Sequence, residues 1–267
     1  MRTVRFRDVY GNTRTGTWVN DEIRFGDTTY KPEDVDILPP ADPSKIICVG
    51  INYEDHMEEA GMDPEILYEK IDNGELNPVP IIFLKGPNAI AGHHDIIHVP
   101  ENKQRIDHEM ELAVIIGEQC KNISKANAMD KVAGYSCGND VSNRDDSLIE
   151  FSGRWIDFFR GKAFDAAAPI GPVMVPPEAV PEDAKMELSV NGELRQETTL
   201  DKMIFDIPEI IEEVSKYVTL EPDDIILTGT PGNVEENFED IKPLQDGDHV
   251  EIEIEGIGTL KNEFEVK

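Results

Sequence analysis

Short runs in which apolar and polar residues alternate, broken by glycine and proline, limit the fold of this 267-residue chain more than any other feature. TVRFRDVY, GTWVN, EIRFG, KIICVGIN, IIFLKGPNAI, ELAVIIG, VAGYSCGND, DIILTGTPGN and HVEIEIEGIGTLKNEFEV all have strand length or strand alternation and stop at turn-forming residues. Helical spacing is clear in one segment, where Ile207, Ile210, Ile211, Val214 and Val218 fall on one face. YEDHMEEAG has helix composition and ends at a glycine suited to a C-terminal cap. Residues 61–80, polar and carrying Pro64, Gly74, Pro78 and Pro80, read as a long loop around a short helix. Many strands with few helices predict an α+β fold built on a mixed sheet. No GxGxxG opens a helix after a strand, which argues against a nucleotide fold. Pro39, Pro40 and Pro43 mark a boundary near residue 41. The expected organisation is a small β-rich N-terminal subdomain over residues 1–40 and one large domain over residues 41–267.

Charge narrows the function classes. Fifty-five acidic against 25 basic residues give a formal net charge of −30, which disfavours nucleic acid and anionic membranes as partners. The acids are dispersed, so a high-salt cytoplasm explains them better than an acidic interaction tail. MRTVRFRDVYG lacks the apolar core of a signal peptide, and no apolar run reaches membrane-spanning length, so a cytoplasmic location is expected. Cys48, Cys120 and Cys137 form no CxxC pair and read as reduced, mostly buried thiols.

Candidate chemistry begins at Glu109 and Glu111, which alternate along a strand and so project from one face. Paired carboxylates are unfavourable unless they are solvated or hold a cation, and oxygen ligands suit Mg²⁺, Mn²⁺ or Ca²⁺. On spacing alone, a half-exposed edge strand with its polar face in water explains the pair better. Asp140 ends a strand-like run and is either a third ligand or half of a turn-forming Asn-Asp pair. His56 and Glu59, three apart on a short helix, could form a carboxylate-oriented base, or a surface histidine beside acids. Lys85 and Lys162 are candidate cations, although a lone lysine at a strand end is usually solvated. His93, His94 and His98 lie in β-branched, non-helical sequence without a completing zinc motif.

Taken in order, CVGINYEDH, FLKGP, DHEMELAVIIG, AGYSCGNDVSNRD, GKAFDAAAPIGP, VNGELRQ and ILTGTP resemble the fumarylacetoacetate hydrolase family, in its acylpyruvate hydrolase and 2-hydroxyhepta-2,4-diene-1,7-dioate isomerase-like branch. The resemblance covers roughly residues 45–267. It implies a mixed β-roll, a homodimer, and a metal held by Glu109, Glu111 and Asp140. It further implies that Lys162 faces the substrate, that Lys85, Arg144 and Thr230 contact it, and that His56 and Glu59 form a catalytic dyad on a mobile lid. Where many relatives carry Gln three residues after the Arg of Arg-Asp, this sequence has Ser147. The implied activity is that of an Mg²⁺- or Mn²⁺-dependent enzyme acting on a 2-oxo acid or acylpyruvate through a metal-stabilised enolate. Hydrolysis, isomerisation and decarboxylation are all open outcomes. The alternatives are a 2-oxo-3-deoxy sugar acid dehydratase or hydrolase of the same family, and a non-catalytic metal-binding module.

Overall fold

The computed structural model describes residues 1–61, 67–70, 76–99, 101–145, 148–151, 153–234 and 242–267. Its core is a large mixed sheet. From one edge the strands run Thr28–Tyr30, Glu22–Phe25, Thr13–Val19, Thr3–Arg7, Ala168–Val175, Val132–Asn139, Met110–Ile116, Ile225–Leu227, Ile46–Gly50 and Ile81–Lys85. The N-terminal strands join this sheet directly, with Thr3 opposite Met174, and bury Val4, Phe6 and Ile23. Ile90–Ala91 follows the far edge strand in sequence and pairs with Ala168 and Pro169, so the sheet curls back on itself as a roll. A second, five-stranded sheet carries Ile96–Val99, Gly258–Val266, His249–Ile254, Lys185–Val190 and Glu193–Thr199.

The predicted helix spans Ile207–Tyr217. Asp206 and Glu209 close a capping box at its start, and Ile207, Ile210, Ile211 and Val214 face the core. Within residues 61–80, the described part holds two short antiparallel strands, Tyr68–Lys70 and Leu76–Pro78; the short helix expected in this stretch falls largely outside the described residues. The neighbouring residues 62–66 and 71–75, and Ser147, lie outside the described residues. All three cysteines are free and buried. Among the described residues no helix is long and apolar enough to cross a membrane.

Strand directions decide what meets at one end of the roll. Met110–Ile116 is antiparallel both to Val132–Asn139, with Met110 opposite Asn139, and to Ile225–Leu227, with Ala113 opposite Leu227. Ile46–Gly50 is parallel to Ile225–Leu227. Consequently Glu109, Asp140, the loop after Leu227 and the chain after Gly50 converge at the same place. Every residue of Met110–Ile116 is buried, so the edge-strand reading of Glu109 and Glu111 does not hold: this strand has a neighbour on each side.

Candidate active site

Glu109, Glu111 and Asp140 each offer one carboxylate oxygen, and these oxygens lie within 4.8 Å of one another; all three residues are buried. The first two share a strand face, as alternation requires. Asp140 is brought opposite by the strand pairing and by its own N–H, which donates to the Glu109 carbonyl at 2.9 Å.

Cations surround two of the three carboxylates. Lys162 Nζ donates to Glu109 Oε2 at 2.6 Å and to Asp140 Oδ2 at 2.7 Å. Arg144 donates to Glu109 Oε1 at 2.5 Å while its fork also holds Asp107, and the Ser142 hydroxyl donates to the same Glu109 oxygen at 2.7 Å. Burial opposes ionisation of Glu109, but Lys162 and Arg144 outweigh it and hold its pKa well below the usual carboxylate range. Burial also works against the Lys162 ammonium, and Asp140 and Glu109 overcome it to raise that pKa.

Glu111 differs. Its hydrogen bond among the described residues comes from the backbone N–H of Gly229, at 2.6 Å. Burial, then the charges of Asp140 and Glu109, push its pKa well above the ordinary value. A buried carboxylate in this position is costly until a cation reaches it. An all-oxygen donor set with one under-neutralised member fits a hard divalent ion such as Mg²⁺ or Mn²⁺.

Lys85 lies beneath this group, 1% exposed. Its Nζ is 2.6 Å from Asp140 Oδ1 and donates to the carbonyls of Ala167 at 2.6 Å and Val141 at 3.0 Å. The two carbonyls take two of its three hydrogens, and its charge pairs with Asp140. Lys162 is delivered by the short helix Phe158–Lys162, capped by Asp157 and seated by Phe158, whose ring stacks on Phe83 at 4.5 Å.

His56 and Glu59 sit on the helix Glu54–Glu59, with His56 Nδ1 3.0 Å from Glu59 Oε2. The chain after Leu227 ties this helix to the triad: the Gly229 N–H donates to Glu111, and Asn233 donates to Glu59. Thr230 is 3% exposed, and its hydroxyl accepts a hydrogen bond from Gln196 Nε2 at 2.9 Å. All the predicted site residues therefore gather at one end of the roll, with Lys85 behind Asp140.

Four further residues hold the site and were given no role from sequence. Gln196 binds the backbone N–H of Met110 as well as Thr230 and the Pro231 carbonyl. Asn52 clamps the Thr228 carbonyl to both backbone groups of Phe205. Ser142 and Asp107 orient Glu109 and Arg144. Gln196 and Asn52 both fall within quoted motifs, VNGELRQ and CVGINYEDH, which is the only signal they gave. Gly229 is required where it stands: its φ is +97°, and a Cβ there would lie 2.6 Å from that of Asn52.

Comparison with known proteins settles the lineage. Residues 45–265 match the fumarylacetoacetate (FAA) hydrolase C-terminal family. The chain belongs to the fumarylacetoacetate hydrolase family. Oxaloacetate tautomerase YisK of Bacillus subtilis is 42% identical over 250 residues, covering 92% of this chain and 77% of the relative. A 2-hydroxyhepta-2,4-diene-1,7-dioate isomerase from Mycobacterium marinum superposes with a TM-score of 0.79 at 34% identity, over 100% of this chain and 99% of that one. Maleylpyruvate hydrolase from Sphingobium sp. SYK-6, solved with manganese(II) and pyruvate, gives 0.77 at 27% identity over the same shares. The α+β roll is that of the family, and the protein is an enzyme of it.

Proposed function

We propose that the protein is a divalent-metal-dependent enzyme acting on a 2-oxo acid or acylpyruvate through an enolate, with Glu109, Glu111 and Asp140 holding Mg²⁺ or Mn²⁺. The observation that carries this reading is the buried carboxylate triad, in which Glu111 has no cation partner among the described residues while Lys162 and Arg144 serve its neighbours. The manganese and pyruvate seen with the Sphingobium hydrolase support it. A bound divalent ion supplies Lewis acidity towards a 2-oxo acid. The chain's own residues do the rest. Lys162 places fixed positive charge where the enolate oxygen develops. Glu59 orients His56 so that its other nitrogen can take or return a proton. Arg144 and Thr230 meet the substrate's polar groups. Lys85, anchored on the carbonyls of Ala167 and Val141, pairs its charge with Asp140 and holds it in position.

Among the outcomes the site permits, keto–enol isomerisation of oxaloacetate has the support of the Bacillus relative. Three further parts of the reading are a homodimer, a high-salt cytoplasm suited to the −30 charge, and a catalytic domain over residues 41–267 with residues 1–40 appended. The deciding experiment is a turnover screen with Mg²⁺ or Mn²⁺ over oxaloacetate, acylpyruvates, unsaturated hydroxy-dioates and 2-oxo-3-deoxy sugar acids. Metal-dependent turnover of at least one is expected. Tight metal binding with no turnover of any would replace the enzyme with a metal-binding module.

A further inference from the structure

Residues 229–233 touch both halves of the site in succession. The Gly229 N–H donates to Glu111 at 2.6 Å, and the Thr230 hydroxyl accepts from Gln196. The Gly232 N–H then donates to Asp55 Oδ1 at 3.1 Å. Asn233 donates twice to Glu59 Oε1, from its backbone N at 3.3 Å and from Nδ2 at 3.1 Å. The other oxygen of that carboxylate, Oε2, faces His56 Nδ1 at 3.0 Å. One carboxylate is thus gripped on one side and directed at the imidazole on the other.

We infer that Asn233 is a positioning residue of the dyad: it fixes Glu59 so that His56 carries its proton on Nδ1 and offers Nε2 as the base. This rests on the reading above only in giving His56 a proton to move. A glutamate's terminal torsion is broad, so a carboxylate bound by His56 alone would swing through many orientations. Two N–H donors on the opposite oxygen remove that freedom. The amide cannot present its other face, because Oδ1 would then oppose a carboxylate oxygen. Oδ1 is buried and has no partner among the described residues, so Glu59 is the anchor described for this side chain. The approach is set by Gly232, where a Cβ would lie 3.1 Å from the carbonyl carbon of Asp55 and 3.3 Å from the His56 nitrogen. The chain therefore packs directly on the first turn of the dyad helix, and Asn233 falls opposite Glu59.

The test compares the full-length wild type with Asn233→Ala and Asn233→Asp. Nitrogen NMR of the His56 ring reports the tautomer without any substrate. The wild type is expected to hold the Nδ1–H form, and Asn233→Ala to shift towards Nε2–H. With a 2-oxo acid that turns over, kcat should fall about tenfold or more in Asn233→Ala while KM stays within about twofold. Asn233→Asp should lose more, because two carboxylates at hydrogen-bond distance repel. Manganese affinity should stay unchanged in both. An unchanged His56 tautomer in Asn233→Ala overturns the inference, whatever happens to kcat. If the wild type turns over no 2-oxo acid, the functional reading fails separately, and the tautomer comparison still decides the role of Asn233.

Discussion

The triad and the dyad are built in opposite ways. Glu109, Glu111 and Asp140 stand at the ends of strands in the middle of the large sheet, on backbone paired on both sides. His56 and Glu59 stand on a six-residue helix that buries only His56 and Met57 and is tied down by hydrogen bonds from residues 232 and 233. Strand ladders and packed apolar side chains resist local opening; a short helix held by a few polar contacts opens at lower cost. The carboxylate triad is therefore pre-organised, and the helix that carries His56 and Glu59 is the adjustable part.

Removing a triad carboxylate should have the largest effect. Glu109→Gln and Glu111→Gln keep shape and lose charge, so metal-dependent turnover should fall to background while circular dichroism stays native. Normal turnover without added metal in either variant would break the assignment. His56→Ala comes next: it should leave manganese affinity intact by calorimetry and lower turnover about 10²–10⁴-fold. A parallel loss of metal affinity would show that the two halves are not separable.

A stability measurement sharpens the same contrast. The folded pKa of Glu111 is raised, so the folded state keeps a proton that the unfolded chain releases above roughly pH 4.3. Stability from this group is present below that pH and is lost as pH rises from there towards the folded pKa. In chelator at neutral pH, Glu111→Gln should melt above wild type, by about 2–4 °C for each kcal/mol relieved, and the gap should narrow towards pH 4. A lower melting temperature in the variant would mean that the folded state favours the Glu111 carboxylate instead of opposing it.

The smallest effect belongs to the surface. With a formal charge of −30, stability should rise from about 0.01 M to about 1 M KCl, as the Debye length falls from roughly 30 Å to roughly 3 Å. The Glu109→Gln/Glu111→Gln double variant should retain this rise and lose the additional stabilisation by Mg²⁺ at matched ionic strength. A melting temperature flat in KCl would remove the high-salt reading.

What the sequence disclosed follows from locality. Alternation placed Glu109 and Glu111 on one face, and helical spacing found Ile207–Tyr217, because both patterns depend on neighbours in the chain. Burial of the carboxylates was hidden, since charged alternation looks the same on an exposed edge as beside a bound ion. Ala168–Val175 escaped notice because Pro169 and Pro172 argue against a strand. Pro172 falls where pairing with Val132–Asn139 slips between Tyr135 and Cys137, and Pro169 lies opposite Ala91 in the short parallel pairing. Lys85 was correctly marked as a lysine ending a strand, but only the curling of the sheet shows what it touches. Gln196 and Asn233 act across folded distances and carry no periodic mark.

The parallel pairing of Ile46–Gly50 with Ile225–Leu227 also constrains how the chain is made. Asn52 and Thr228, which lock the floor of the site, are 176 residues apart. During synthesis Ile46–Gly50 can pair with Ile81–Lys85, but its other edge must wait until residues 225–227 have left the ribosome. Closing so long a loop is slow, and the waiting strands are open to pairing with other chains. In this respect the strand Ile225–Leu227 acts as a release signal for folding: a nascent chain cut short before residue 225 would have the three carboxylates and the imidazole but no strand joining the parts of the sheet that carry them.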